Sequence, residues 1–459
     1  MKIPVSPPPH AQLLRGILAA KNGTERFTHL ALSDVGPTVE GKYRHWDILR
    51  HLQPPGDLSH EEWWLGIKNA RRALSRRLPL RDRDGQPFQY ALPDVAQRML
   101  HEIDRDATGA IQANEQVTNP QTRDTYLFKS LLEEAITSSQ LEGASTTRDV
   151  AKEMIKRGRE PRDRSERMIY NNYQALLFTR QVVDQPLSKG IVLELHRILT
   201  EGTLDEPEAA GRFRTPEEPI CVSDELGTVL HHPPAAGELE TRFAALCDFA
   251  NAKDSEPFIH PVVRSILLHF WLAYDHPFVD GNGRTARALF YWSMARQGYW
   301  LAEFLSISRI IKKQPARYGR SFLYSETDDN DATYFILAQL RIVSRAIQDL
   351  HRYLARKAAE LSETARLIRQ SEAIRSHLNH RQLSLLNHAL KHPYAEYTFE
   401  SHRSSHNVAY GTARADLLEL AESGLLIEGR IGRTYTFSVP PNLNERLSSI
   451  SKRPVVSRQ

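Results

Sequence analysis

The chain of 459 residues is long enough for two or three domains, and with 41% apolar and 25% charged residues it has the balance of an ordinary globular protein in water. Its formal net charge of +4 is mild for this length and neither demands nor excludes nucleic acid. No apolar run approaches the ~20 residues needed to cross a bilayer. Cys221 and Cys247 make neither a zinc nor a disulfide spacing, and Met1 to Pro9 carry no apolar signal core, so a cytoplasmic protein with no membrane partner is expected.

Residues 1–110 are read as an N-terminal accessory region. It opens Pro-punctuated, with a short helix near Gln12–Ala20. Ser59 and Glu62 have the spacing of a capping box and predict a helix from His60 to Ser75. The neighbouring tryptophans, Trp46, Trp63 and Trp64, are read as packing residues that dock this region on the main body. The polar stretch Leu78–Ala91 has room for short strands.

Residues 111–345 are the expected core. Helix Leu127–Thr137 leads into Ser138-Ser139-Gln140-Leu141-Glu142-Gly143, which by itself reads as a helix end stopped by Gly143. Helices Arg164–Thr179 and Ser188–Gly202 follow. Two short apolar runs, one holding Ile220, Cys221 and Val222 and the other Val229 and Leu230, flank Ser223–Gly227 in the pattern of a β-hairpin. Helices Glu238–Ala252 and Val262–Tyr274 then lead into His276-Pro277-Phe278-Val279-Asp280-Gly281-Asn282-Gly283-Arg284-Thr285-Ala286-Arg287, and a further helix runs Thr285–Gln297.

That run sits in a tight loop between two helices. Glycines at 281 and 283 allow a sharp turn and close approach of a ligand to the backbone. The free N–H groups and partial positive charge of the next helix start form an anion site. Arg284 and Arg287, three apart, share one side of it, and each can grip phosphate with a two-toothed fork. Asp280 offers a carboxylate for Mg2+, and His276 a proton acceptor near neutral pH.

Beyond it, Ser306–Tyr324 is basic and contains Tyr318, Thr333–Arg369 is one long helix, and 346–378 are read as the connecting helix. In 379–440 the order is helix Arg381–His392, a short strand Tyr397–Phe399, a short helix ending at Asn407, helix Tyr410–Ser423 stopped by Gly424, and a hairpin flanking Glu428–Arg433. This is the order of a winged helix. Tyr410 and Arg414 on its third helix and Arg430 and Arg433 on the wing would meet DNA, but these cations are few, and DNA and a protein surface both remain open as partners. Residues 441–459 read as a loose basic tail.

The run from His276 to Arg287 resembles the signature of the Fic family, H-P-F-x-[DE]-G-N-G-R-x-x-R, at every fixed position. The resemblance implies a mainly α protein with a helical Fic core and a β-hairpin flap, transferring AMP from ATP to a Ser, Thr or Tyr hydroxyl of a target protein, the chain itself included. It makes His276 the base, Asp280 the Mg2+ ligand, Gly281, Asn282 and Gly283 the anion hole, and Arg284 and Arg287 the phosphate holders. Phe278 joins them at the nucleotide, and Tyr318 is placed near its base. The stretch Ser138 to Gly143 resembles the family's inhibitory motif, [ST]-x-x-x-E-[GN], in which Glu142 would hold Arg287. Ile220, Cys221, Val222, Val229 and Leu230 fall where the flap grips a target segment. The rival functions are removal of AMP, transfer of another nucleotide, and a nucleotide-sensing DNA-binding regulator. A homodimer is compatible with the resemblance.

Overall fold

The capping box at Ser59 is formed in both directions: its hydroxyl accepts from the Glu62 N–H at 3.1 Å, and the Glu62 carboxylate accepts from the Ser59 N–H at 2.8 Å. The helix it starts is α4 (His60–Leu74) of a mainly α protein. The structure, a computed structural model, describes residues 1–108, 120–224, 226–252, 258–371, 374, 378–392, 395–431 and 434–451. They fall in two compact units, one within 1–112 and 127–348, the other within 113–126 and 349–459.

In the first unit α1 (His10–Ala19), α2 (Gly23–Leu32) and the short α3 (Trp46–Leu49) precede α4. Helix α2 was not foreseen. Leu13, Ile17, Leu30, Trp46, Trp63 and Trp64 form one apolar cluster, so the tryptophans are core residues, as their size favours. A strand pair, β1 (Arg76–Arg81) and β2 (Pro87–Tyr90), occupies the turn-rich stretch. Helix α4 is held by buried charges: Lys68 Nζ meets Asp328 Oδ1 at 2.7 Å, and Arg71 Nη1 meets the Tyr334 hydroxyl at 2.7 Å. Such pairs, costly to desolvate, fix one arrangement of the chain more than they add stability.

The rest of this unit is helical. α5 (Asp94–Thr108) is followed by α6 (Pro120–Leu141), α7 (Arg148–Arg157), α8 (Arg164–Gln181) and α9 (Lys189–Thr200). The hairpin strands are β3 (Val222–Ser223) and β4 (Val229–His231). Then come α10 (Leu239–Asn251), α11 (Pro261–Asp275), α12 (Asn282–Arg296), α13 (Ile307–Lys313) and α14 (Pro315–Thr327). Helices α11 and α12 are almost wholly buried, which explains the long apolar runs on both sides of the 276–287 loop. The continuous α15 (Thr333–Gln370) contributes to both units.

The second unit contains α16 (His380–Lys391), β5 (Glu396–Tyr397), α17 (Phe399–His406), α18 (Tyr410–Glu422), β6 (Ile427–Ile431), β7 (Thr434–Ser438) and α19 (Leu443–Ser451). The sheet order is β5-β7-β6, antiparallel throughout. The strand expected over Tyr397–Phe399 stops at Tyr397 because the Thr398 hydroxyl caps α17, accepting from the Ser401 N–H. The loose tail expected from 441 is corrected by α19: Leu443 and Leu447, four apart, enter the core with Leu386, Leu417, Leu420 and Phe437. Residues 452–459, and Arg433 on the wing, lie outside the described residues.

Candidate active site

His276 ends α11 in the left-handed region, at φ 46° and ψ 56°. A non-glycine residue is strained there and persists only where its surroundings hold it. Arg214 supplies part of that hold. Its backbone N–H donates to Pro277 O and its Nε to His276 O, both at 2.9 Å, and its Nη2 donates to Pro234 O beyond the hairpin. The His276 Nδ1 lies 3.1 Å from Ala273 O. A carbonyl only accepts, so Nδ1 carries the proton and Nε2 keeps its lone pair. Burial, aided by His231 and Arg214, pushes the imidazole down to about 4, so it is neutral at physiological pH.

The loop that follows is braced from α9. His196 Nδ1 accepts from the Gly211 N–H at 3.0 Å, which leaves Nε2 to donate to Asp280 O at 2.9 Å. Its ring stacks on Phe278, with centroids 3.7 Å apart. Asn282 closes the turn by binding the backbone N–H and C=O of Phe278 at 3.0 and 2.7 Å. Gly281 has φ +82°, and a Cβ there would come within 2.8 Å of the Thr200 methyl, so both conformation and space require glycine. The first backbone bond of α12 runs from Thr285 N to Gly281 O. The N–H groups of Asn282, Gly283 and Arg284 therefore have no acceptor within the helix and face an anion position.

A carboxylate of the same chain stands beside that position. Glu134 and Ser138 in α6, and Glu142 just past its last residue, are spaced four apart along the chain. Arg287 Nε donates to Ser138 Oγ at 2.9 Å, and its Nη2 to Ser138 O at 3.1 Å and Glu142 Oε1 at 2.8 Å. A Cβ on Gly283 would lie 2.3 Å from Glu142 Oε1. Glu142 thus rests directly against the helix start. Burial pulls the Arg287 guanidinium down, but Glu142 and its other neighbours outweigh this, and the net shift is upward. Glu134 anchors the helix by accepting from Ser306 Oγ at 2.8 Å and Ser308 N at 3.1 Å.

Residues 186–294 match the Fic/DOC family model. Two relatives called protein adenylyltransferase Fic match beyond that segment. The one from Nematostella vectensis is 32% identical over 237 residues, 50% of this chain and 52% of the relative. The one from Drosophila ananassae is 26% identical over 276 residues, 60% of this chain and 52% of the relative. The chain thus spans about half the length of these curated relatives. A Fic family protein from Desulfovibrio desulfuricans G20 superposes with a TM-score of 0.50 at 18% identity, over 77% of this chain and 98% of that one, which shows a shared fold.

Within and beside the Fic/DOC segment, three expected roles change. Phe278 is fully buried under His196, so its side chain shapes the loop and offers no ligand surface. The Asn282 side chain is spent on the loop, leaving only its N–H for an anion. The Tyr318 hydroxyl meets His269 Nε2 at 2.9 Å, so it is engaged with that ring instead of being presented to a base. Arg284 is 1% exposed and donates to Leu199 O at 2.9 Å and Asp280 Oδ2 at 3.4 Å, while its buried Nε has no partner among the described residues.

Asp280 keeps its carboxylate about half exposed, with Oδ1 taking the Gly281 N–H at 2.6 Å. An exposed carboxylate beside a phosphate-sized anion position fits Mg2+, which takes hard oxygen ligands and fills its shell with phosphates and waters. In the hairpin, Asp224 accepts from the N–H groups of Leu226 and Thr228 at 3.0 and 2.9 Å, and Gly227 turns with φ +77°. Val222, Val229 and Leu230 are in the strands, whereas Ile220 and Cys221 precede them. His231 pins the hairpin, its two nitrogens 2.7 Å from Tyr274 O and Glu326 Oε2. In the other unit Tyr410 and Arg414 are exposed on α18, and Arg430 lies over the Tyr435 ring at 4.1 Å.

His196, Arg214 and His269 were missed as supporting residues. Single polar residues inside helical or turn patterns leave no signal of their own. Only their partners, 15 to 84 positions away in the case of His196, reveal them.

Proposed function

We propose that this chain is a protein adenylyltransferase held inactive by Glu142. The observation that carries the reading is the Arg287 guanidinium shared between Ser138 and Glu142 at the open start of α12. ATP would lay its β- and γ-phosphates on the N–H groups of Asn282 to Arg284 and on Arg287. Asp280 would hold Mg2+, which neutralises phosphate charge when bound. The neutral His276, with Nε2 free, would accept the proton of a Ser, Thr or Tyr hydroxyl as that oxygen attacks the α-phosphate and pyrophosphate leaves. The hairpin pinned by His231 would hold the target segment through its open strand edge. With Glu142 in place, the γ-phosphate meets a carboxylate instead of a free guanidinium.

The test is AMP incorporation from labelled ATP with Mg2+, into lysate proteins and into the chain itself, comparing the parent with Glu142→Gly and with Glu142→Gly carrying His276→Ala. The first change should raise labelling, and the second should lower it roughly 10²- to 10⁴-fold. Loss of label from a modified protein on adding the parent would instead assign the reverse reaction.

For the second unit we propose a winged helix that docks duplex DNA through α18, whose Tyr410 and Arg414 are exposed. Binding that falls steeply with salt and weakens in Arg414→Ala supports this; salt-independent capture of a protein assigns the surface otherwise.

A further inference from the structure

A second concentration of positive charge lies in the first unit, away from the signature. A cavity of about 780 Å³ opens between the segment 42–48, α14 and the start of α15, and its walls carry Lys42, Arg44, Lys313, Arg317, Arg320 and Arg341. Among the described residues, no aspartate or glutamate lines it. Arg44 is paired with Glu40 at 2.9 Å. The other five cations have no carboxylate partner among the described residues; Arg317 has only the Gln314 amide at 3.2 Å and Arg320 only Tyr324.

The cavity is distinct from the loop site. On α14, Arg317, Ser321 and Tyr324 recur at helical spacing on the cavity side. Glu326, on another face, bonds His231 of the hairpin. None of residues 276–287, nor Ser138 or Glu142, lines the cavity.

We propose that this cavity binds a small polyphosphate anion, inorganic or nucleoside. Clustered guanidiniums repel one another and cannot relieve the repulsion by losing protons. An anion with several charged oxygens supplies a counter-charge and gains fork-shaped contacts to arginine. The volume lies within the roughly 300–1,000 Å³ of small-ligand sites, which favours a compact polyphosphate over a polymer that must run through and out. Tyr324, stacked on His45 with centroids 4.4 Å apart, forms a ring wall against which a base can lie.

Titration calorimetry of the full chain tests this without reference to AMP transfer. The probe is sodium triphosphate, and the background is Arg287→Ala, which weakens the loop site. One triphosphate should bind per chain. Adding Arg317→Ser and Arg341→Ser should weaken it roughly 100-fold, about tenfold for each lost charge-assisted contact, with an unchanged melting temperature showing that the fold is kept. Equal affinity for ATP and triphosphate identifies a phosphate site. Tighter binding of ATP, reversed by Tyr324→Ala, identifies a nucleotide site. The proposal is overturned if the two added changes leave affinity unaltered, if no binding occurs at millimolar triphosphate, or if only oligodeoxynucleotides bind.

Discussion

Two regions of the first unit gather arginines, and they treat them in opposite ways. At the start of α12, Arg284 and Arg287 are 1% and 3% exposed and are met by Leu199 O, Asp280, Ser138 and Glu142. In the cavity beside α14, Lys313, Arg317 and Arg341 are exposed and meet no carboxylate among the described residues. The difference is one of solvent. A guanidinium out of water needs a partner at all times, and here Glu142 is that partner, in the place the proposed function gives to a phosphate. A guanidinium in contact with water is hydrated until a ligand arrives. The first arrangement pairs its arginines within the chain, and the second leaves them to water.

The comparison breaks most sharply at the base. In the Glu142→Gly chain, His276→Ala should lower AMP transfer roughly 10²- to 10⁴-fold, the usual worth of a general base, while ATP affinity stays close to that of Glu142→Gly. Transfer at an unchanged rate would remove His276 from the chemistry. On the same background, Arg287→Ala should weaken ATP binding about 10- to 100-fold through one lost charge-assisted bond, measured by titration. An equal ATP affinity would mean that the guanidinium released from Glu142 does not take the phosphate.

Acid sharpens it further. Burial holds His45, His196 and His276 down at about 4 and His269 at about 3. Their unfolded value is about 6.5, so between pH 6.5 and 4 the unfolded chain binds more protons than the native one. Stability from these groups is complete above pH 6.5 and is lost as pH falls through that window. The melting temperature should drop steadily from pH 7 to 5, and His269→Gln should make the slope shallower. A flat profile would mean that these rings are not held neutral. Transfer by Glu142→Gly should likewise keep its His276-dependent acid limb near pH 4 and not near 6.5. The smallest effect is expected from Ser138→Ala, which leaves the Glu142–Arg287 bond but removes one acceptor from Nε. Basal transfer should rise a few-fold, and no rise would confine the competition to Glu142.

Much of this was legible in the chain. The helix–loop–helix around 276–287 and the capping box at Ser59 follow from local spacing, and the hairpin from its turn residues. Ser138 and Glu142 were legible only because their motif stands beside the signature. What escaped depends on contacts distant in sequence. Arg214 reads as a loop residue until His276 O is found on its Nε, and His196 as a helix residue until Asp280 O is found on its ring. The resemblance places Tyr318 and Phe278 at the nucleotide, whereas His269 and His196 have already engaged them. The tail became α19 because Leu443 and Leu447, with Ile450 beside them, pack into the same cluster as Phe437.

The central claim is that Glu142 occupies the place of a phosphate on Arg287. Its most direct test is the initial rate of label transfer from α-labelled ATP with Mg2+, compared among the parent, Glu142→Gly, and Glu142→Gly with Arg287→Ala. The account predicts a low rate, a rate raised tenfold or more, and a return toward the low rate, for freeing an arginine worth about 1.5–3 kcal/mol to its anion and then removing it. A Glu142→Gly chain that binds ATP yet transfers no faster than the parent, to itself or to any lysate protein, would contradict it.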